Sequence, residues 1–141
     1  MRMVSAQRPD ELTACLQLRR EVFIDEQQVP EHLELDGDDD ACVHFLACDA
    51  EGVPVGTARL RLLGYKAKAQ RVAVRRASRG HGVGAALMAA LEHEARQRGA
   101  HTVQLSSQVH ALPFYERLGY VAHGDVYDDA GIPHRDMTKP L

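Results

Sequence analysis

The sequence predicts an α/β (α+β) architecture with a mixed, mostly antiparallel central sheet and helices on both faces. Three observations carry this. Three β-rich segments follow one another between Cys42 and Val74 with only turns between them, which implies antiparallel hairpins. A strongly periodic helix then separates the third segment from another β-rich run, which implies a parallel pair joined by a right-handed crossover. A second periodic helix precedes the hairpins, so both faces of the sheet receive cover. The 141 residues, 45% hydrophobic and 26% charged, suit one globular domain spanning residues 1–141.

Met1 to Ala6 reads as a first strand. Pro9-Asp10-Glu11 starts a helix, with proline in the first turn and acids at the positive end of the dipole. Leu12, Cys15, Leu16, Arg19, Val22, Phe23 and Glu26 recur at helical spacing, and the helix should stop before Pro30. Residues 25–40 form an acidic connection containing a short helical turn. Cys42 to Cys48, Val53 to Leu63 and Lys66 to Val74 are the three hairpin strands. Gly82 to Arg98 is the main helix, with Val83, Leu87, Ala90, Leu91, Glu94 and Ala95 on one stripe and Gly99 as its stop. Thr102 to Ser106 is a short strand, and Ala111 to Leu118 is a short helix ended by Gly119. Two closing strands, near Tyr120–Val126 and Ile132–Thr138, meet at a turn over Asp129-Ala130-Gly131.

The formal charge of −3 and the absence of a Lys/Arg-rich run argue against a nucleic-acid partner. The N-terminus lacks the apolar core of a signal peptide, and no apolar run approaches the roughly 18 residues of a membrane span. Cys15, Cys42 and Cys48 are odd in number and form no Cys-x-x-Cys, so neither a disulfide framework nor a metal site is expected. The expectation is a cytoplasmic protein with no membrane or nucleic-acid partner and buried free thiols.

The most informative segment is Arg71-Val72-Ala73-Val74-Arg75-Arg76-Ala77-Ser78-Arg79-Gly80-His81-Gly82-Val83-Gly84. A strand enters a basic, glycine-rich loop that opens directly into a helix. Unpaired N–H groups at a helix start and the helix dipole suit a pyrophosphate. Glycines let phosphate oxygens approach the backbone, and Arg79 offers a planar donor fork. A Walker loop would need Lys-Ser or Lys-Thr after the glycines, and neither is present. A dinucleotide fingerprint is matched loosely by Gly80-x-Gly82-x-x-Ala85. However, it should follow its strand at once, and the next strand should end in an acid; here it runs out through Leu105-Ser106-Ser107.

Arg79-Gly80-His81-Gly82-Val83-Gly84 after Val72-Ala73-Val74, with Leu112-Pro113-Phe114-Tyr115-Glu116-Arg117-Leu118-Gly119-Tyr120 downstream, resembles the GCN5-related N-acetyltransferase (GNAT) family. Arg19-x-x-Val22-Phe23-x-x-Glu26-Gln27, then Pro30, Glu34, Asp36 and Asp39, and Gly131-Ile132-Pro133-His134, resemble its ElaA-type branch. The resemblance implies a GNAT-like acyl-CoA N-acyltransferase fold. It implies acetyl-CoA as cosubstrate and a small-molecule or peptide amine as acceptor, attacking directly in a ternary complex; homodimers are common in the family. A non-catalytic acyl-CoA sensor on the same fold is the competing class. By the same resemblance, Val72, Ala73 and Val74 would pair with the pantetheine arm, an amide near Val74 would hold the thioester carbonyl, and Arg79, Gly80, His81, Gly82, Val83, Gly84 and Ala85 would hold the pyrophosphate. Tyr115 would protonate the departing sulfur and touch the cofactor. Gln108 and His110 occupy the neighbourhood where some members place an asparagine.

An amine acceptor must lose a proton, so a base is needed. Charged residues on the apolar stripe of the first helix conflict with it, and such conflicts often mark a site. Arg19, Phe23, Glu26, Glu34 and Asp36 are therefore the expected acceptor residues, with the acidic connection attracting a cationic amine. Glu26, Glu34, Asp36 and His44 are the candidate bases, Glu26 and His44 first.

Overall fold

A computed structural model describes all 141 residues. Strands β1 (Arg2–Ala6), β2 (Val43–Cys48), β3 (Pro54–Leu63) and β4 (Lys66–Val74) pair antiparallel in chain order. β4 then pairs parallel with β5 (Thr102–Gln108), the single parallel contact of the sheet. The last hairpin, β6 (Val121–Asp129) and β7 (Ile132–Pro140), places β7 between β5 and β6, for an order of β1-β2-β3-β4-β5-β7-β6. The expected hairpins and crossover are all present. The turn at Ala130-Gly131 has both residues at positive φ, which matches the twist of a two-residue hairpin.

Helix α1 (Pro9–Arg19) covers one face, and α3 (Val83–Gln97) with α4 (Leu112–Arg117) covers the other. The alternation of β2 serves both sides. Phe45 and Ala47 join the larger core with Leu60, Leu87, Leu91, Val103 and Met137, while Leu46 and Cys48 join Ala6, Cys15 and Leu18 beneath α1. A turn of helix, α2 (Glu31–Glu34), lies in the acidic connection as expected.

Two helical faces differ from the periodicity. After Arg19 the chain winds wider over Arg20–Glu26, and the Gln27 amide bonds back five residues to the Val22 carbonyl at 3.1 Å. Ahead of it, within regular α1, the buried stripe runs through Cys15, Leu18 and Arg19 and not through Leu16. Leu16 is 42% exposed, whereas Leu18, outside the expected stripe, is buried. On α3 the buried acid is Glu92, which accepts from the Tyr120 hydroxyl and from Lys139, each at 2.8 Å; Glu94 sits outside with Arg98.

α3 approaches β3 closely because Gly56 has no side chain. A Cβ there would lie 2.8 Å from Val83 Cγ1 and 3.0 Å from Leu87 Cδ1. Gly56→Ala is expected to lower unfolding stability by about 1–3 kcal/mol through overpacking, read by urea denaturation.

Candidate active site

β4 and β5 pair only at Lys66↔Thr102, Ala67↔Val103 and Lys68↔Gln104, and then part. Between the pairs Arg59↔Gln70 and Thr57↔Ala73, β4 has one residue more than β3. This bulge places Arg71 at φ +54, a left-handed conformation unusual for an arginine. The strands are already apart at Gln70, and the bulge keeps β4 bent away along a cleft of about 900 Å³.

The β4 side of the cleft offers main chain. The Arg75 amide bonds Val55 O at 2.8 Å, so strand alternation turns the Val74 amide and carbonyl away from β3 and toward the cleft. Val72, Ala73 and Val74 all line it. Past β4, Gly80 and Gly82 sit at φ +80 and +82 and deliver the chain into α3, whose start has no side-chain cap. The first amide of that turn to be satisfied is Ala86, bonded to Gly82 O at 3.1 Å, so the amides of Val83, Gly84 and Ala85 remain open. The Val83 side chain itself is buried in the core, and His81 is exposed. An extended edge of unpaired main chain thus leads to a helix N-terminus, an arrangement suited to a chain ending in phosphate.

Arg79 is more constrained than the sequence suggested. Its Nε donates to Val74 O at 2.9 Å, and both terminal nitrogens donate to the two oxygens of Glu26 at 2.8 Å. The Arg79 bonds hold the Glu26 carboxyl below its ordinary range. Glu26 lines the cleft, but with both oxygens taken it clamps the loop and is not a free base.

Arg19, Glu34 and Asp36 are brought together, but away from an acceptor role. Arg19, 1% exposed, donates to Glu34 at 2.6 Å and to Asp39 at 2.7 Å. Arg59, which the sequence reading missed, is also buried and binds Asp36 at 2.7 and 3.0 Å and Asp39 at 2.8 Å. Arg71 donates to Glu34 O at 3.1 Å and to Asp36 at 3.2 Å. The acidic connection therefore supplies counter-ions to buried arginines rather than a field for a cationic ligand. Hydrogen bonds from Arg59 hold Asp36 far below the usual carboxylate range. Burial opposes ionisation of Asp39, but the bonds from Arg19 and Arg59 outweigh it and hold it low as well. One nitrogen, Arg19 Nη2, is buried with no partner.

His44 lies outside the cleft. It is buried, its Nε2 is 2.9 Å from Asp39 O, and it borders a smaller recess with Ser5, Ala6 and Leu60. It cannot serve as a base for an amine in the cleft. Phe23 does line the cleft.

Tyr115 also lines the cleft from α4, packed edge-to-face on Phe114 at 4.9 Å. Burial pushes its phenol up to about 12. Near it, Gln108 donates to Gln27 at 2.8 Å and accepts from His110 at 2.6 Å, tying the end of β5 to the end of the widened helix.

The wall opposite β4 was not expected. Gln104, Ser106 and Gln108 of β5 stand beside Thr138, Asp136 and His134 of β7 in register, with His123 and Tyr127 of β6 next to them, and all eight line the cleft. Tyr127 donates to Asp136 at 2.5 Å, bonds Ser106, and stacks on His134 with centroids 6.2 Å apart. The signal was present in the period-two alternation of Val103 and Leu105 with these polar residues. Ending β5 at Ser106 and β6 at Val126 cut it short.

Residues 5–141 match the model of the acetyltransferase (GNAT) domain. The chain is 38% identical over 140 residues to the uncharacterized N-acetyltransferase YjcF of Bacillus subtilis, covering 99% of each. ElaA of Escherichia coli is 33% identical, with 93% of this chain and 88% of ElaA aligned; its crystal structure superposes with a TM-score of 0.84 at 29% identity, covering 98% and 97%. An acyl-CoA N-acyltransferase from Pseudomonas aeruginosa superposes with a TM-score of 0.86 at 33% identity over 99% of both chains.

The buried ion network predicts an acid-sensitive fold. Asp36 has a folded-state pKa depressed below the ordinary 3.8, so its contribution is fully present above that value and lost as pH falls through the folded one. Asp36→Asn is expected to lower stability at pH 7 and to flatten the decline below pH 3.8, measured by urea unfolding across pH.

Proposed function

The chain belongs to the GNAT acetyltransferase family, and from that premise we propose that it moves an acetyl group from acetyl-CoA to an amine by direct attack within a ternary complex. The observation that carries this is the continuity of the unpaired β4 edge with the uncapped start of α3. The β4 edge has the form of an open strand, which a pantetheine arm with its two amides can extend. The Val83, Gly84 and Ala85 amides, with the dipole of α3 behind them, suit the pyrophosphate. The Val74 amide supports the thioester oxygen as negative charge develops there.

Tyr115 acts as the proton donor to the departing sulfur. Its raised pKa keeps the hydroxyl protonated well past neutral pH, so the acid is always charged with its proton. Arg79 aligns the loop through Glu26 and Val74 O, so its contribution to cofactor binding comes through loop geometry as well as charge.

Calorimetry with acetyl-CoA, coenzyme A and NADH tests the reading. Micromolar binding of both coenzyme A species, weakened in Arg79→Ala, is the expected result; binding of NADH alone overturns it. Tyr115→Phe is expected to cut kcat by about 10²-fold or more while leaving acetyl-CoA affinity unchanged, in steady-state assays with an amine panel. Because the phenol titrates at about 12, no loss of wild-type activity near pH 10 is expected from Tyr115.

A further inference from the structure

We infer that His134 is the general base that takes the proton of the acceptor amine, an assignment that rests on the acyl-transfer reading above. The ring lines the cleft on β7, half-buried, in the polar wall facing the open edge of β4. Its Nδ1 lies 2.7 Å from the Ile132 carbonyl oxygen. A carbonyl only accepts, so Nδ1 carries the hydrogen of that bond. In the neutral ring Nε2 therefore holds the lone pair, which is the state a base requires. The tautomer is set by main chain, which does not turn over as a side-chain amide does. Tyr127 stacks on the ring with an interplanar angle of 25°, and its own hydroxyl is fixed by Asp136 and Ser106. The ring plane is thus held as well as its protonation pattern.

The other titratable groups of the cleft are less suited. Glu26 is committed to Arg79, and Glu34 is buried against Arg19. His110 takes its orientation from the Gln108 amide, and His123 from the Thr138 hydroxyl, which can donate or accept. Asp136 accepts from Tyr127, and Asp129 is exposed at the hairpin tip. Tyr127, Asp136 and His110 are the titratable groups nearest His134 in the register, on β6, on β7 and through Gln108 of β5.

The protons balance as follows. His134 Nε2 takes one proton from the ammonium form, and the freed lone pair forms the C–N bond. The C–S bond breaks with its electrons on sulfur, which takes the Tyr115 proton. Of the two protons left on a primary amine's nitrogen, one returns through solvent to Tyr115 and the other stays on the amide, and the imidazolium releases its own to bulk water.

Two measurements test this. In ¹⁵N-histidine spectra of the full chain, assigned by comparison with His134→Gln, the neutral His134 ring is expected to show Nδ1 protonated; an Nε2-protonated ring overturns the assignment. In kinetics with the best amine of the panel, His134→Ala is expected to lose about 10²-fold or more in kcat/KM, to lose the lower limb of the pH profile, and to recover partly with added imidazole. Its acetyl-CoA affinity by calorimetry is expected to stay unchanged. An unaltered rate and pH profile in His134→Ala overturns the assignment while intact cofactor binding leaves the acyltransferase reading standing. Failure of that reading shows earlier, as wild-type protein that binds no acetyl-CoA, and takes the assignment with it.

Discussion

The bulge at Arg71 is the constraint on which the cleft depends. Two strands that began as a parallel pair would ordinarily continue side by side, each satisfying the other's amides. Here pairing with β5 ends after three residues, and the extra residue that β4 carries against β3 bends it where pairing would otherwise resume. A non-glycine residue in the left-handed region costs roughly 1–3 kcal/mol and persists only when its surroundings hold it. The Arg71 guanidinium supplies that hold through the Leu33 and Glu34 carbonyls and the Asp36 carboxylate. Burial, and then the charge of Arg59 close by, make Arg71 less basic than an ordinary arginine, so its carbonyl and carboxylate partners are needed.

This requirement explains the acidic connection. Burying Arg19 and Arg59 is unfavourable unless counter-charges and hydrogen bonds follow them in, and Glu34, Asp36 and Asp39 do so. Losing one partner of such a set leaves a stranded charge worth about 3–5 kcal/mol, whereas replacing the set by apolar groups is often neutral. Its value therefore lies in geometry. A carboxylate network locks α2, β3 and the β4 bulge in one arrangement, which apolar packing does not dictate as narrowly. The second clamp, Glu26 on Arg79 with Val74 O, does the same for the glycine-rich loop from the end of the widened helix.

The parts legible in the sequence were those written in short, local rules. Hairpin spacing, the α3 stripe and the Arg79–Gly84 loop each depend on residues near one another in the chain. The α3 stripe still placed Glu94 inside where Glu92 belongs, because Tyr120 and Lys139, which make room for that acid, come from distant segments. The widened turn after Arg19 was hidden because a 3.6-residue template cannot register a five-residue hydrogen bond. Taking Leu16 for Leu18 on regular α1 is a separate matter, since Leu16 follows Leu12 by four residues and Leu18 follows Cys15 by three, and both spacings suit a helix face. Arg19 was seen as out of place on its apolar stripe, while Glu34 and Asp36 were read only as part of an acidic connection. Arg59, which binds Asp36 and Asp39, lies on a strand whose flanking residues Ala58 and Leu60 gave no hint of a buried cation. Without Arg59, a charge cluster built for structure reads as one built for a ligand.

The two halves of the cleft differ in what they are made of, and this bears on specificity. The β4 edge and the α3 start present main chain, so many side chains satisfy them provided the glycines and the bulge remain. That half is legible as a motif and suits a donor of constant chemistry. The β5–β7–β6 wall presents the side chains of Gln104, Ser106, Gln108, His134, Asp136 and Thr138, on the face of the strands that the pleat turns away from Val103, Leu105 and Met137. Substitutions there change the lining without disturbing the core beneath, because alternate residues carry the two duties. An acceptor subsite on such a face can be rewritten residue by residue while the donor half stays fixed. The same separation places the proposed base on β7, in the half open to substitution, and the proposed acid Tyr115 on α4, packed into the core.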